Sequence, residues 1–509
     1  MCANAQETNE VEQLKRQLQQ LQESFQKVQR EQRQQIDSLT KKLDELQKQQ
    51  TAEIEKRKAE ERLAAESRTV QPPSIAPPTA EGEKPWRPTD PMRIGKRAAY
   101  VDLSFNGLFA AGASTADDIE GGTQLGAHDP NQRGFTVQNL EMTLNGAVDP
   151  YFRGQASLVF QIDSKGESLL EVEEAFAETT ALPGNLQVKA GQFFTEFGRL
   201  NPTHPHAWSF VDQPLVSGRF LGGDGLRNPG ARLSWLIPTP FYSELFFAAQ
   251  NSHGATASSF RSAGHGHGGE ESEEGVPFGF RHPDNDRGVR GLGDMLFTPR
   301  LATSFDITDN QVLLLGASGI FGPNSSGASG DTHTQIYGVD FTWKWKSPNH
   351  NAGFPFVAWQ TEGMLRRYEL GAFDWDEDGD GMVSAGEVVD TATGRPAVLS
   401  GETVTDHGFY SQLVYGFRKG WVAGLRFDYL TGNKADYEKM SLSLDGGPLG
   451  RDPLRAERWR LSPNLTWYPT EFSKVRLQYN YDDRRDIGAD HSVWLQFEFL
   501  LGAHGAHKF

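Results

Sequence analysis

The densest chemistry in the chain lies in the run Asp376-Glu-Asp378-Gly-Asp380-Gly381-Met382-Val383-Ser384-Ala-Gly-Glu387. Side-chain oxygens fall at positions 1, 3, 5, 9 and 12 of a loop that carries glycine at 6 and an apolar residue at 8. A hard cation needs such a dense oxygen cage, a sharp bend at position 6 and a carboxylate at 12 that can offer both oxygens, so this is the spacing of a calcium loop. Met382, at position 7, would add its backbone carbonyl. The expected Ca2+ ligands are Asp376, Asp378, Asp380, Met382, Ser384 and Glu387. The flanks Gly371-Ala-Phe-Asp and Thr391-Ala-Thr-Gly do not read as paired helices. The ion is therefore expected to staple a loop rather than drive a switch.

A second group of metal-ligating types is His253, His265, His267 and His282 with Glu270, Glu271, Glu273 and Glu274. Clustered imidazoles take Zn2+ or copper near neutral pH. Glycine-rich surroundings and irregular spacing predict a solvated loop with only loose affinity for Zn2+ or another transition metal. A third group, from about Thr195 to Asn228, holds Arg199, His204, His206, Asp212, Arg219, Asp224 and Arg227 among glycines that permit sharp bends. No Ser/His/acid spacing and no glycine-framed nucleophile is present, so the chain is not expected to be an enzyme.

The elements that must position these groups are strands. From about Arg97 the side chains alternate. Val101, Leu103 and Phe105 oppose Asp102, Ser104 and Asn106, and Leu140, Met142 and Leu144 oppose Glu141, Thr143 and Asn145. Similarly, Val475, Leu477 and Tyr479 oppose Lys474, Arg476 and Gln478. The last strand sets Val493, Leu495, Phe497, Phe499 and Leu501 against Gln496 and Glu498. A period of two gives each strand one apolar and one polar face. About sixteen such segments, eighteen as the alternative, fall in the even range of closed membrane barrels. Asp149-Pro150, Pro183-Gly184, Pro238-Thr239-Pro240, Thr308-Asp309, Lys419-Gly420 and Pro469-Thr470 mark tight turns. Long connections run over about 112–132, 195–228, 252–296, 371–405 and 431–455. Short turns at one rim and long loops at the other are the arrangement of an all-β transmembrane barrel. With the apolar faces on lipid, Arg426, Arg458, Arg460, Lys474 and Arg476 point inward on late strands, opposite Asp102, Glu141, Glu171 and Glu173 on early ones. The two arcs would set up a transverse field, and the 195–228 connection would narrow the lumen with Arg199, His204, His206, Arg219 and Arg227.

Ahead of the strands lies a helical stretch. Val11, Leu14, Leu18, Leu21, Phe25 and Val28, then Ile36, Leu39, Leu43 and Leu46, follow heptad spacing with a stutter at Gln32. An α-helical coiled coil is expected over 6–66, reaching about 90 Å at 1.5 Å per residue. A helix this polar lacks a core of its own and should associate with copies of itself. Residues 67–95, with Pro72-Pro73 and Pro77-Pro78, form a semi-extended spacer, and 96–509 the barrel. Ala3-Asn4-Ala5, within residues 1–5, has the form of the small-residue end of an export signal. The lone Cys2 rules out an internal disulfide framework, and a net charge of −17 argues against a nucleic-acid partner.

The run Ala190-Gly-Gln-Phe-Phe-Thr-Glu-Phe-Gly-Arg199, then Phe210-Val-Asp-Gln-Pro-Leu215 and Gly225-Leu-Arg-Asn-Pro-Gly230, resembles the phosphate-selective porin O/P superfamily. The aromatic-rich last strand shares the likeness, which covers the chain from about residue 95 onward. That superfamily includes trimeric porins with a periplasmic coiled coil ahead of the barrel. The resemblance implies an outer-membrane homotrimer in contact with lipid, its coil in the periplasm; the expected function is passive passage of small hydrophilic solutes, the transverse field favouring anionic over cationic ones. The Arg and Lys set of a phosphate-specific pore is not complete here, so phosphate is not carried over. A second expectation is an envelope tether, its coil reaching toward peptidoglycan or periplasmic proteins.

Overall fold

A computed structural model describes residues 92–96, 99–147, 149–261, 277–283, 288–327, 331–376 and 378–502. The heptads of 6–66, the spacer up to residue 91, Cys2, most of the His/Glu-rich loop and Phe509 lie outside the described residues.

Sixteen antiparallel strands close into one barrel. In chain order they are β1 (Ala99–Ser114), β2 (Gly134–Ala147), β3 (Phe152–Ile162), β4 (Ser168–Thr179), β5 (Leu186–Phe194), β6 (Arg227–Leu236), β7 (Tyr242–Asn251) and β8 (Met295–Thr308). Then follow β9 (Gln311–Pro323), β10 (His333–Asn351), β11 (Phe354–Leu370), β12 (Glu402–Arg418), β13 (Trp421–Gly432), β14 (Arg458–Thr470), β15 (Ser473–Arg484) and β16 (Gly488–Leu501). Each pairs with its neighbours in sequence, and β16 pairs with β1 from Phe105↔Leu501 to Ser114↔Ser492. Across that seam the Asn106 side-chain amide donates to the Glu498 carboxylate at 2.8 Å.

The alternation in the sequence becomes an inside and an outside. On β16 Val493, Leu495 and Phe497 are nearly half exposed, while Trp494, Gln496 and Glu498 are buried. The pattern recurs around the barrel, so the outer surface is a belt of Val, Leu and aromatic side chains, and the polar side chains turn inward. Trp421 stacks on Trp467 at 6.0 Å near one rim, and Trp459 meets Tyr481 at 5.1 Å near the other. Aromatic girdles of this kind flank the apolar band of barrels that sit in a bilayer.

One rim carries the short turns and the other carries the long connections 115–133, 195–226, 252–294, 371–401 and 433–457, with shorter ones at 163–167, 324–332 and 485–487. Three details differ from the sequence expectation. Met92–Lys96, placed at the end of the spacer, is a strand paired with β1, and Arg93 bonds Asp102 through both side chains. Thr470 still pairs with Ser473, so the turn falls at Glu471-Phe472 rather than at Pro469-Thr470. A further turn, not marked in the sequence reading, falls at Ala352-Gly353, where both residues have positive φ.

Beyond the long-loop rim, parts of 252–294, 371–401 and 433–457 condense into a cap. Its core is Phe280, Trp375, Val388, Leu399, Tyr437 and Leu442, with Tyr368, Leu370 and Val404 from the ends of β11 and β12. A small sheet joins 388–390 to 395–396 and to 442–444, which in turn pairs with 447–449.

Candidate functional site

The 195–226 connection folds into the barrel and crosses it, and the wall residues explain why. The connection leaves β5 at Thr195, whose hydroxyl donates to the Gln250 side chain at 2.7 Å. Gly198 takes a φ of +60°, and its amide donates to the Ser318 hydroxyl. The Leu200 amide then donates to Glu362 at 2.8 Å, a buried carboxylate on β11 that also accepts the Tyr410 hydroxyl. Arg199 is half-buried within electrostatic reach of Asp340 and Glu362.

The chain next runs to the opposite, acidic side of the lumen. His204 places Nδ1 2.7 Å from Glu173 and 3.3 Å from Glu141, and Nε2 3.0 Å from Glu174. His206 stacks on His204 and reaches Glu141 at 3.1 Å. Glu173 and Glu174 are consecutive, yet both are buried. A strict strand would turn one of them outward. The register shift between Ser157 and Leu158 leaves Glu173 unpaired between Val172 and Glu174, a bulge that turns both carboxylates inward. On β2 the shift at Leu108/Phe109 does the same for Gln138 and Asn139.

From Trp208 to Asp212 the connection lies on the basic wall of β13–β15. Arg476 donates to the Trp208 carbonyl, Asn464 to the Ser209 carbonyl and Lys474 to the His206 carbonyl. Asp212 is the anchor. Its carboxylate accepts Arg426 at 2.6 Å, Asn480 at 2.7 Å, Gln478 at 2.8 Å and Arg460 at 3.1 Å. Pro214 then starts a short helix, α1 (Leu215–Leu221), which Gly222 ends at a φ of +96°. Leu215 donates its amide to Asp428, and Val216, Phe220 and Leu221 pack on Ile320, Ile336, Met364 and Tyr410 of the inner wall. The guanidinium of Arg219 bonds the Ala456 carbonyl. Arg227, fully buried at the start of β6, pairs with Glu171 and lies 3.6 Å from Glu173.

Arg426, Arg458, Arg460, Lys474 and Arg476 are buried on the inward-facing side of their strands, and this basic arc is largely compensated. Asp482 accepts both Arg458 and Arg460, Asp428 accepts Arg426, and Glu498 pairs with Lys474. None of the hydrogen bonds of Arg476 goes to a carboxylate among the described residues. Sequence reasoning did not anticipate that 115–133 also turns inward. The Gly122 and Thr123 carbonyls accept Arg458, Asp129 accepts the Gln213 amide, and Gln138 ties the His128 and Val211 carbonyls together. The period-two pattern carries no information about where a loop docks. The unusual Gln138-Asn139 polar pair was its only trace in the sequence.

In the cap, Asp376, Asp378 and Asp380 converge, with a carboxylate oxygen of each within 4.8 Å of the others. Gly379 and Gly381 take positive φ, and Asp376 accepts the Gly381 amide. Glu387 stands outside this trio, accepting the Ser384 amide at 2.8 Å, and Met382 is exposed. Buried Trp375 and Val388 anchor the two ends of the loop. Of the His/Glu-rich loop, His282 packs its ring edge-on to Trp375 at 4.8 Å, and His253 forms a bridge with Arg261. Its other named residues lie outside the described ones. In the same cap, burial pushes the Asp452 carboxyl above the ordinary aspartate range, although the Gly279 and Leu454 amides and the Tyr437 hydroxyl pull it partway back.

No family model matches the sequence. An uncharacterized protein of Aquifex aeolicus (strain VF5) is 32% identical over 393 residues, 74% of this chain and 71% of that protein. Among solved structures, the outer membrane channel DcaP of Acinetobacter baumannii aligns with 80% of this chain and 99% of its own, at 13% identity and a TM-score of 0.47. An anion-selective porin from Comamonas acidovorans aligns with 79% of this chain and 100% of its own, at 8% identity and a TM-score of 0.44.

Proposed function

This chain belongs to the same family as the uncharacterized Aquifex aeolicus protein, and we propose that it is an outer-membrane porin for passive diffusion of small hydrophilic solutes. One observation carries this: a closed sixteen-stranded barrel with an apolar belt outside, polar side chains inside, and a long connection laid across its lumen. In hydrocarbon every backbone amide and carbonyl must be satisfied internally, and a sheet without edges does this. Charged side chains are costly on a lipid face and suited to a wet interior. The 195–226 connection supplies the constriction, with Arg199, His204, His206, Arg219 and Arg227 on or beside it and Arg426, Arg458, Arg460, Lys474 and Arg476 on the facing wall.

The likeness of Ala190–Arg199 to the phosphate-selective porin O/P superfamily supports the same class, as this run forms the end of β5 and the entry to the constriction. The arginine-rich wall of β13–β15, set across the lumen from the acidic side at Glu141, Glu171, Glu173 and Glu174, is the basis for a preference for anions. The short-turn rim faces the periplasm in this scheme, and the heptad pattern read over 6–66 supports self-association into a trimer. The Asp376–Glu387 loop binds Ca2+ on the outer face. Three convergent carboxylates and a glycine bend fit a hard cation, and Ser384 and Glu387 must swing inward to complete the shell.

Purified full-length protein added to a planar bilayer should produce stepwise conductance in groups of three. Reversal potentials in a salt gradient should lie on the anion-selective side. A chain that inserts but stays electrically silent would sink the porin assignment and leave the tether.

A further inference from the structure

We propose that Glu141, Glu173 and His204 form a site for a divalent transition metal of the Zn2+ class inside the barrel. One ligand atom of each lies within 4.8 Å of the other two. The ring of His204 is set for this. Its Nε2 lies 3.0 Å from Glu174, and in the tautomer that carries its proton there the Nδ1 lone pair faces Glu173 and Glu141. In that form two carboxylates and a lone pair repel, and either a second proton on Nδ1 or a metal ion between them relieves it. Glu173 is fully buried and faces His204 Nδ1 at 2.7 Å, His128 Nε2 at 3.5 Å and Arg227 at 3.6 Å, yet none of these meets its oxygens in an aligned hydrogen bond among the described residues. A buried carboxylate without such partners is costly, and a metal ion would satisfy it.

The surroundings agree. Among the described residues, Glu141, Glu171, Glu173, Glu174 and Asp224 crowd this side of the lumen around one guanidinium, that of Arg227. The imidazoles are neutral in their metal-binding form, so the pocket keeps an excess of negative charge that a divalent ion offsets. Behind the ligands, Gln161 donates to His128 Nδ1 and leaves the His128 Nε2–H toward Glu173 at 3.5 Å. His206 supports Glu141 at 3.1 Å. Such outer partners orient ligands and raise their basicity. One imidazole with carboxylates selects a borderline transition metal over Ca2+ or Mg2+. The bulge at Glu173 is the backbone device that delivers the central ligand, and the ion would tie the crossing connection to β2 and β4.

The test is a Co2+ titration of EDTA-stripped full-length protein, followed by its visible absorption, with Zn2+ competition by calorimetry. The background carries His265→Ala and His267→Ala, so that the His/Glu-rich loop does not contribute. One equivalent of Co2+ should develop a ligand-field spectrum that Zn2+ removes and excess Ca2+ does not. Glu173→Gln and His204→Asn should each weaken binding at least about 100-fold, and His206→Gln about 10-fold, the effect of losing an outer partner. If a ligand variant fails to fold, the stripped parent protein decides alone. No spectrum in the parent overturns the site, and so does a spectrum unchanged in well-folded Glu173→Gln and His204→Asn. Either result means that a proton on His204 holds the cluster together.

Discussion

Asp212 holds the crossing connection to the basic wall with four side-chain donors on one carboxylate. Asp212→Ala would leave Arg426 and Arg460 buried with too little counter-charge. Removing one partner of such a pair costs about 3–5 kcal/mol. Single-channel recordings should show larger and noisier conductance as residues 208–212 leave the wall, and the urea midpoint should fall. Asp212→Asn should do less of both. Gly198 is the second such point. A Cβ there would lie 2.0 Å from a Glu362 oxygen, at a positive φ that costs a side chain about 1–2 kcal/mol. Gly198→Ala should push Glu362 off the Leu200 amide, visible as increased proteolysis of the connection, while the barrel still resists SDS. Asp212 stood out in the sequence only as one acid among several in a long loop. Its partners lie 214 to 268 residues away, and no local pattern encodes such a meeting.

At the scale of strands, most of the architecture was legible, because lipid outside and water inside impose period two on almost every element. Val475-Leu477-Tyr479 and Val493-Leu495-Phe497 face outward as the alternation requires. The strand number was legible for the same reason. Bulges were not, since one inserted residue between Val172 and Glu174 looks like a polar stutter until the pairing is known. Leu495 gives the direct test of the outer face. Leu495→Arg costs about 2–4 kcal/mol at mid-membrane depth, so equilibrium unfolding from lipid vesicles should shift by that amount, whereas Gln496→Arg should not follow the same depth rule. In the cap, Asp376→Ala should abolish calorimetric Ca2+ binding. A full-length protein that takes up no Ca2+ would reject the loop assignment.

Among the described residues three bodies of side chains have different environments: the apolar outer belt, the charged lumen and the apolar cap. The cap was the least legible, because Phe280, Trp375, Val388 and Tyr437 come from three connections that share no period. It should respond to pH. The Asp452 carboxyl titrates higher in the folded cap than in an open chain, since burial favours its neutral form. Its contribution is therefore complete below the ordinary aspartate value of about 3.9 and is lost as pH rises through the folded one. Hydrogen exchange of the 433–457 amides, corrected for intrinsic rates, should show protection falling over that rise. Asp452→Asn should flatten the dependence.

The seam between β1 and β16 also sets an order of events. Those strands are the first and last of the barrel, and their register spans nearly the whole described body, from Phe105 to Leu501. Neighbouring hairpins can zip as they arrive, but this pair must wait for the last strand of the barrel. Until Gly488–Leu501 is delivered, Phe105–Ser114 has an unsatisfied row of amides on an apolar ribbon, the kind of edge that recruits a wrong partner. So long a loop to close makes the step slow. Assembly of this protein is thus a race between its own last strand and any other strand within reach, and whatever carries the chain to the membrane must shield that first edge until the last one docks.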